Sequence, residues 1–267
     1  MTASKNWSKN ANVVLALIWL VGSSGCALLP DEIDPTRDWT IQKLYSEAKD
    51  ALNDGSYEQA IKYYEKLDSR YPFGRYAQQA QLEIAYTYYK SDEATSAIAT
   101  LDRFIKTYPR HANLDYAYYL RGLVNFNQGI SFIDRYLPLD RSQRDPGVAR
   151  QSFQDFGELV RRFPDSKFAA DARQRMVHLR NSLAQYEVHV ARYYLRQNGY
   201  LAAVNRGKYV IEHYPQTQAT PDALGIMAQG YRGLGMDDLA EDATRILRSS
   251  YPTHPALAEA TQARVAR

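Results

Sequence analysis

The stretch YEQAIKYYEKLDSRYP, residues 57–72, holds the pattern that decides the fold of this chain. Its apolar positions recur at the spacing of one helix face, and its final proline stops the helix because proline lacks an amide donor and clashes with the preceding turn. Leu44, Ala48 and Leu52 mark one face of an earlier helix, which Gly55 breaks. The stretch and its flank therefore predict two helices joined by a tight turn.

An aromatic residue followed by proline ends such a segment five times along the chain. A small residue stands twelve positions before each proline, where it allows two helices to approach closely. These five helix-ending prolines are 37, 55, 51 and 37 residues apart, which predicts a self-similar array of helix pairs. The pairs are Tyr71-Pro72, Tyr108-Pro109, Phe163-Pro164, Tyr214-Pro215 and Tyr251-Pro252, and the small residues are Ala60, Ala97, Ser152, Ala203 and Ala240.

These offsets resemble those of the tetratricopeptide repeat. The resemblance implies an all-α fold, a right-handed α-solenoid of about five helix pairs over residues 39–267, with repeats that end near positions 72, 109, 164, 215 and 252. Copy three is irregular, with Gly122 in its first helix and an insertion at about 125–147. Copy four has Gly207 where a large residue is usual, which we interpret as room for a partner. The alternative is an ordinary helical bundle in which the prolines recur by chance.

The N-terminus has the features of a secretory signal peptide over residues 1–25. Two lysines precede an apolar run at 13–21, which is too short to cross a bilayer because a spanning helix needs about 20 residues. Cys26 follows as the only cysteine, so an intrachain disulfide is impossible. Its setting resembles the lipobox of bacterial lipoproteins, which implies acylation of Cys26 and an extended tether at 26–38. The alternative is a free thiol after an ordinary secretory signal.

The residue after the cysteine bears on location. Ala27, and not aspartate, follows Cys26, and this resembles the choice that sorts lipoproteins to the outer membrane. The expected location is therefore the outer membrane, with the chain lipid-anchored and facing the periplasm.

Charge and motif content argue against several classes of function. The 33 lysines and arginines nearly balance the 30 aspartates and glutamates, so no nucleic-acid partner is expected. The sequence has no glycine-rich phosphate loop, nucleophile elbow or His-Glu-x-x-His motif, and its five histidines lack ligand spacing. We therefore expect a protein that is not an enzyme and holds no metal or cofactor.

Tyrosine is abundant, with 22 residues concentrated in the predicted helices. Most of them suit core positions, because the repeat itself requires aromatic side chains. Tyrosines on the surface of a repeat array offer rigid apolar area plus a hydroxyl group, which suits the capture of extended peptides. Peptide binding is the function class that this composition favours.

Three stretches carry a closer resemblance. RYPFGRY at 70–76, DRSQRDP at 140–146 and VNR at 204–206 resemble the BamD family, lipoproteins of the beta-barrel assembly machinery. The resemblance runs in order through the mature chain and implies a non-enzymatic scaffold of the Bam complex that takes part in assembly and insertion of β-barrel proteins. The implied partners are the last POTRA domain of BamA, bound by the C-terminal repeats, other Bam lipoproteins, and unfolded outer membrane protein substrates.

The same resemblance implies two binding sites. A groove between copies one and two is expected to bind the C-terminal targeting strand of substrates, and Arg206 of copy four matches the family's arginine that faces BamA. The alternative for the groove is that Tyr71 and Phe73 only end one helix and pack against the next repeat. The groove residues are Arg70, Tyr71, Phe73, Gly74 and Tyr76.

The insertion carries four charged residues, Asp140, Arg141, Arg144 and Asp145, which we expect to form an ion-pair and capping network that holds the segment. A pilotin-like lipoprotein that escorts secretin subunits is the alternative function, since it would share the anchor and the repeats but tends to lack this insertion. A divisome or peptidoglycan-associated repeat protein would usually carry a coiled-coil segment, which this sequence lacks.

Overall fold

The computed structural model describes residues 34–128 and 146–262. The chain divides into two units, residues 1–40 and 41–267. In the described part of the first unit, Oδ1 of Asp34 accepts hydrogen bonds from the backbone N–H and the hydroxyl of Thr36, at 3.0 and 2.8 Å. These bonds hold a short turn.

The second unit is helical, with eleven helices and no strand in its described residues. Its helices are α1 Ile41–Asn53, α2 Tyr57–Arg70, α3 Arg75–Lys90, α4 Ala94–Thr107, α5 Leu114–Asn127, α6 Gly147–Arg162, α7 Ala169–Arg196, α8 Tyr200–His213, α9 Thr220–Gly233, α10 Asp237–Ser250 and α11 Pro255–Gln262.

Each helix packs against the next one along the chain, which gives five consecutive pairs followed by α11. At four of the five steps along the array, the first helix of a pair also packs against the first helix that follows: α1 against α3, α3 against α5, α7 against α9, and α9 against α11. This order of contacts is that of a repeat array, in which each unit buries its apolar face against its neighbours. The predicted all-α repeat solenoid is confirmed.

The second helix of every pair ends where the sequence predicts. The aromatic residue before each proline leaves the helical conformation, with φ between −123° and −138° and ψ between 50° and 64°. Proline forces this change, because its ring clashes with a preceding residue in the α conformation. The backbone N–H of each aromatic residue still donates to the carbonyl four residues earlier, at 2.8 to 2.9 Å. The five small residues twelve positions before the prolines are at most 1% exposed.

In copy three, a glycine on the first helix, Gly122, allows the two helices to approach closely. Gly122 of α5 faces the ring of Phe156 on α6, and a Cβ at position 122 would lie 2.6 Å from that ring. The Ser152 hydroxyl also donates a 2.9 Å hydrogen bond to the carbonyl of Gly122. The irregular glycine is therefore a packing residue. Helix α5 runs to Asn127, so it includes the first residues of the expected insertion.

The interpretation of Gly207 as room for a partner was wrong. A Cβ at position 207 would lie 2.7 Å from Cγ of Met227 and 3.1 Å from the carbonyl oxygen of Ala223. Helix α9 of the same chain therefore fills the space. Gly207 permits the close contact of α8 with the next repeat.

Helix α7 is the longest described helix, with 28 residues, and it joins two parts of the core. Leu179 in its first half packs in a cluster with residues of α3 to α6. Ala184, Val188 and Ala191 in its second half pack with residues of α8 and α9. One helix thus supplies the boundary between the N-terminal and C-terminal repeats.

Candidate functional site

Residues 70–76, which we call the first junction, connect α2 to α3. Tyr71 ends α2 through its N–H bond to the carbonyl of Leu67, and it is 37% exposed. Phe73 is 88% exposed, the highest value among the exposed large apolar side chains of the described residues. Gly74 precedes α3 with φ +97°, a left-handed conformation that favours glycine.

The other four junctions provide an internal comparison for Phe73. The equivalent position, one residue after the proline, is polar in each of them. An aromatic side chain is therefore not needed to connect two repeats. The alternative was that Tyr71 and Phe73 only end one helix and pack against the next repeat. Tyr71 does end its helix, but Phe73 is 88% exposed and is not packed against the next repeat. The polar residues are Arg110, Asp165, Gln216 and Thr253.

Tyr76, the last predicted groove residue, lies at the start of α3 and contacts α1. Its ring centroid is 5.5 Å from that of Tyr45, in an edge-to-face arrangement, and Tyr45 makes the same kind of contact with the buried Tyr64 at 5.8 Å. The guanidinium of Arg75 lies over the Tyr76 ring at 5.2 Å. Sequence reasoning missed Tyr45 and Arg75 as members of this surface. The position of Tyr45 directly after core residue Leu44 was the available signal.

A carboxylate on α3 joins the polar side chains next to these rings. Glu83 accepts hydrogen bonds from the hydroxyl of Tyr45 at 3.4 Å, from Nζ of Lys49 at 3.1 Å and from Nε2 of Gln79 at 3.1 Å. Burial, and then the charge of Glu83, raises the pKa of Tyr45 to about 12. Tyr45 is therefore a neutral hydrogen-bond donor at physiological pH.

Further half-buried tyrosines lie on the first helices of copies two and three. We call Tyr45, Tyr76, Tyr86, Tyr116 and Tyr119 the aromatic row; all five are half-buried. At its far end, Tyr119 stacks on Phe168 at 4.6 Å. The Tyr119 hydroxyl donates to Asp171 at 2.7 Å. By contrast, Tyr64 and Tyr118 are buried, as expected for core tyrosines.

Arg206 lies on α8, in the fourth pair of helices, away from the first junction. Its side chain is 43% exposed, and its NH1 atom forms a 2.7 Å ion pair with Oε2 of Glu187. Glu187 is 1% exposed and also pairs with Arg150 of α6 at 3.4 Å. The hydrogen bond to Glu187 raises the pKa of Arg206. Arg206 thus holds a buried carboxylate while part of its side chain faces solvent.

The remaining predicted residues lie outside the described residues. These are the lipidation site Cys26 and the insertion residues Asp140, Arg141, Arg144 and Asp145. No helix in the two described ranges has the length and apolar character needed to cross a membrane.

Paired helices, small residues at their crossings and proline-ended second helices define a tetratricopeptide-type repeat protein. The YfiO family model, described as outer membrane lipoprotein, matches residues 37–246. The outer membrane protein assembly factor BamD of Neisseria meningitidis is 47% identical over 227 residues, which cover 85% of each chain. BamD of Xylella fastidiosa is 40% identical over 215 residues, 80% of this chain and 74% of the relative. The chain belongs to this family of outer membrane lipoproteins, the BamD family.

Among solved structures, the TPR2AB domain of yeast Sti1, solved as a pHSP90 complex, is similar over 85% of this chain and 83% of that chain, with 13% identity and a TM-score of 0.44.

Proposed function

We propose that this chain is a non-enzymatic lipoprotein scaffold of the Bam complex that takes part in assembling β-barrel proteins into the outer membrane. It binds the targeting strand of unfolded substrates at the first junction and BamA through its C-terminal repeats, beside other Bam lipoproteins. The acyl chains of Cys26 hold it to the outer membrane, with the repeats in the periplasm. Membership of the BamD family supports the role, and the exposure of Phe73 supports the substrate site.

The chemistry of the first junction suits a strand with alternating aromatic residues and a terminal carboxylate. Phe73 and Tyr71 present apolar area that the fold leaves exposed. Arg70 and Arg75 flank these rings, and an arginine recognises a carboxylate through charge-assisted hydrogen bonds. Apolar contacts plus main-chain and terminal groups are the usual means by which proteins hold an extended peptide.

Binding of a labelled peptide that ends in the last strand of an outer membrane barrel protein tests this site. Phe73→Thr introduces the residue that Thr253 supplies at the same position of copy five, so the junction should still form. Loss of an aromatic anchor at an interface costs about 1.4 kcal/mol or more, so we expect the dissociation constant to rise at least about tenfold. Fluorescence anisotropy measures it.

Val177→Thr is the matched control, because Val177 is an exposed apolar residue, at 53%, on α7. It should leave the affinity unchanged. Equal losses for both variants, or an unchanged affinity for Phe73→Thr, would contradict a substrate site at the first junction. A peptide amidated at its C-terminus should bind more weakly than the free acid.

Arg206 is the residue that supports a BamA site. Only its NH1 atom pairs with Glu187, and a half-exposed guanidinium has further N–H donors for a carboxylate of a partner. Arg150 gives an unusually close control, because it pairs with the same Glu187 and is 44% exposed.

Arg206→Ala should weaken binding to the periplasmic part of BamA at least about tenfold, as loss of an interface arginine commonly does. Arg150→Ala should weaken it less than about twofold. Biolayer interferometry measures both. Equal losses would indicate that the effect passes through Glu187 and the local fold. Recovery of a secretin without BamA from solubilised membranes would instead favour the pilotin-like function.

The anchor has its own test. Mass spectrometry of the mature N-terminus should find a chain that begins at an acylated Cys26. A chain that begins elsewhere, or an unmodified thiol, would contradict the proposed anchor.

A further inference from the structure

Helix α10 exposes three large apolar side chains while its opposite side packs in the core. Met236, just before the helix, is 47% exposed, Leu239 is 45% exposed and Ile246 is 48% exposed. Leu239 and Ile246 are seven residues apart, which is two helical turns, so they lie on the same side of α10. We call these three residues the α10 stripe. The core side of the helix contains Ala240, Ala243, Thr244 and Leu247.

The other repeats show that the array does not require this stripe. The residue one position before the buried small residue corresponds to Leu239, and the residue six positions after it corresponds to Ile246. No other copy has large aliphatic residues at both positions. Single exposed apolar residues are ordinary, but a pair of large aliphatic side chains on one helix face, which no equivalent pair in the other copies repeats, needs another explanation. The equivalent pairs are Gln59 and Lys66, Ser96 and Arg103, Gln151 and Glu158, and Ala202 and Tyr209.

Charged side chains border the stripe and define the partner's chemistry. Asp242 lies three residues after Leu239 and four before Ile246, so it sits beside both, and Arg245 neutralises it at 2.6 Å. Asp238, one turn earlier on the same face, has no ion pair within the described part of the chain. An apolar centre with a polar rim is the usual anatomy of an interface. The uncompensated Asp238 favours a basic side chain on the partner.

The size of the stripe argues against a second copy of this chain as the occupant. A helix of 14 residues is about 21 Å long at 1.5 Å per residue, and a stripe about 10 Å wide covers roughly 200 Å². A stable dimer needs about 800 Å² on each partner. The occupant must therefore hold this chain at a further place, and Arg206 on the preceding second helix is such a place.

We infer that the α10 stripe is an anchoring surface for an apolar segment, flanked by a basic side chain, of the same partner protein that contacts Arg206. The inference rests on the proposed function, because it extends the C-terminal partner site from α8 to α10. Leu239 and Ile246 supply the apolar contact, and Asp238 pairs with the basic side chain.

The repeat array itself supplies the test substitutions. Leu239→Gln with Ile246→Lys places on α10 the residues that copy one carries at these positions, so the fold should be retained. The mature full-length chain should lose at least about tenfold in affinity for the periplasmic part of BamA, with an unchanged melting temperature. The reverse exchange on α2, Gln59→Leu with Lys66→Ile, should leave the affinity unchanged. Asp238→Lys should slow association, and added salt should reduce the difference.

The outcomes separate this inference from the proposed function. If Arg206→Ala weakens binding and the α10 exchange does not, the stripe is not part of the interface although the proposed function stands. If the unaltered chain does not bind BamA, both fail. If sedimentation finds a dimer that the α10 exchange converts to monomer, the occupant is a second copy and the inference is overturned.

Discussion

The first junction and the packed helices α5 to α8 of copies three and four each carry residues that are unusual for the repeat. At the first junction they are exposed, and in α5 to α8 they are buried. At the first junction the unusual residue, Phe73, points to solvent and the fold around it is ordinary. In copies three and four the unusual residues are buried carboxylates, Asp155 on α6 and Glu187 on α7, each 1% exposed. Arginines of neighbouring helices pair with both: Arg121 with Asp155 at 2.8 Å and Arg206 with Glu187 at 2.7 Å.

The difference separates two reasons for breaking a repeat. An outward departure adds nothing to packing, and at the first junction it supports the ligand site that we propose. An inward charge is costly unless it is paired and hydrogen-bonded, so it indicates a contact between helices that must have one geometry. Asp155 meets this condition, because Asn125 and Gln151 also donate to it, at 2.8 and 3.1 Å.

The largest expected effect concerns the buried carboxylate. Asp155→Ala leaves Arg121, which is 17% exposed, without its buried partner, and breaking such a pair should lower the free energy of unfolding by about 3 kcal/mol. Asp102, the other partner of Arg121, is 54% exposed. Asp102→Ala should therefore cost less than about 1 kcal/mol. Urea denaturation measures both. Equal losses would show that burial does not distinguish the two carboxylates.

A smaller loss is expected at Gly122. Gly122→Ala places a methyl group against Phe156 and should lower the free energy of unfolding by about 2 kcal/mol through overpacking. Phe156→Leu should reduce the added cost of this substitution, since the two residues are in contact. Gly74→Ala is the control: its Cβ would meet no atom within 4 Å, so its cost of about 1 to 3 kcal/mol arises from the positive-φ, extended backbone at residue 74 and no neighbour should relieve it. Independence of Gly122→Ala from residue 156 would contradict the packing explanation.

The end of the aromatic row should give a modest, pH-dependent effect. Burial raises the pKa of Asp171, but the hydrogen bonds that Arg175 and Tyr119 donate, together with the charge of Arg175, outweigh burial. The pKa of Asp171 therefore lies below its usual 3.8. The stabilisation is therefore complete above this usual value and is lost as pH falls through the lower folded-state value. Asp171→Asn should cost less than about 1 kcal/mol at pH 7, because the pair is partly exposed. The difference from the unaltered chain should shrink as pH falls below 3.8; a constant difference would indicate that charge is not its cause.

The smallest effect on stability is expected at the first junction. Phe73→Thr should change the free energy of unfolding by less than about 0.5 kcal/mol, because the ring is 88% exposed. Thermal unfolding followed by circular dichroism measures it. A loss above 1 kcal/mol would mean that Phe73 serves packing, and the contrast between outward and inward departures would fail at this residue.

Sequence reasoning was most accurate where structure depends on local constraints. The five helix ends follow from the effect of proline on the residue before it, and the buried small residues follow from helix spacing. It failed at Gly207, because whether a missing side chain leaves space depends on Met227, twenty residues later, and not on the neighbours of the glycine. The family resemblance implied a partner role for Arg206, which stays a prediction, but it did not reveal the ion pair with Glu187, because neither spacing nor composition connects α8 to a buried carboxylate on α7.

The sequence by itself determined that this chain is an array of five helix pairs and where each second helix ends, because periodic apolar residues, small residues and prolines act over one or two helical turns. Three short stretches of sequence also determined which family the array resembles. Only the tertiary structure decided which unusual residues face solvent and which are buried. Phe73 and the α10 stripe remain exposed, while Asp155 and Glu187 are enclosed. The physical reason is that burial depends on how successive helices stack, which joins residues far apart in the chain.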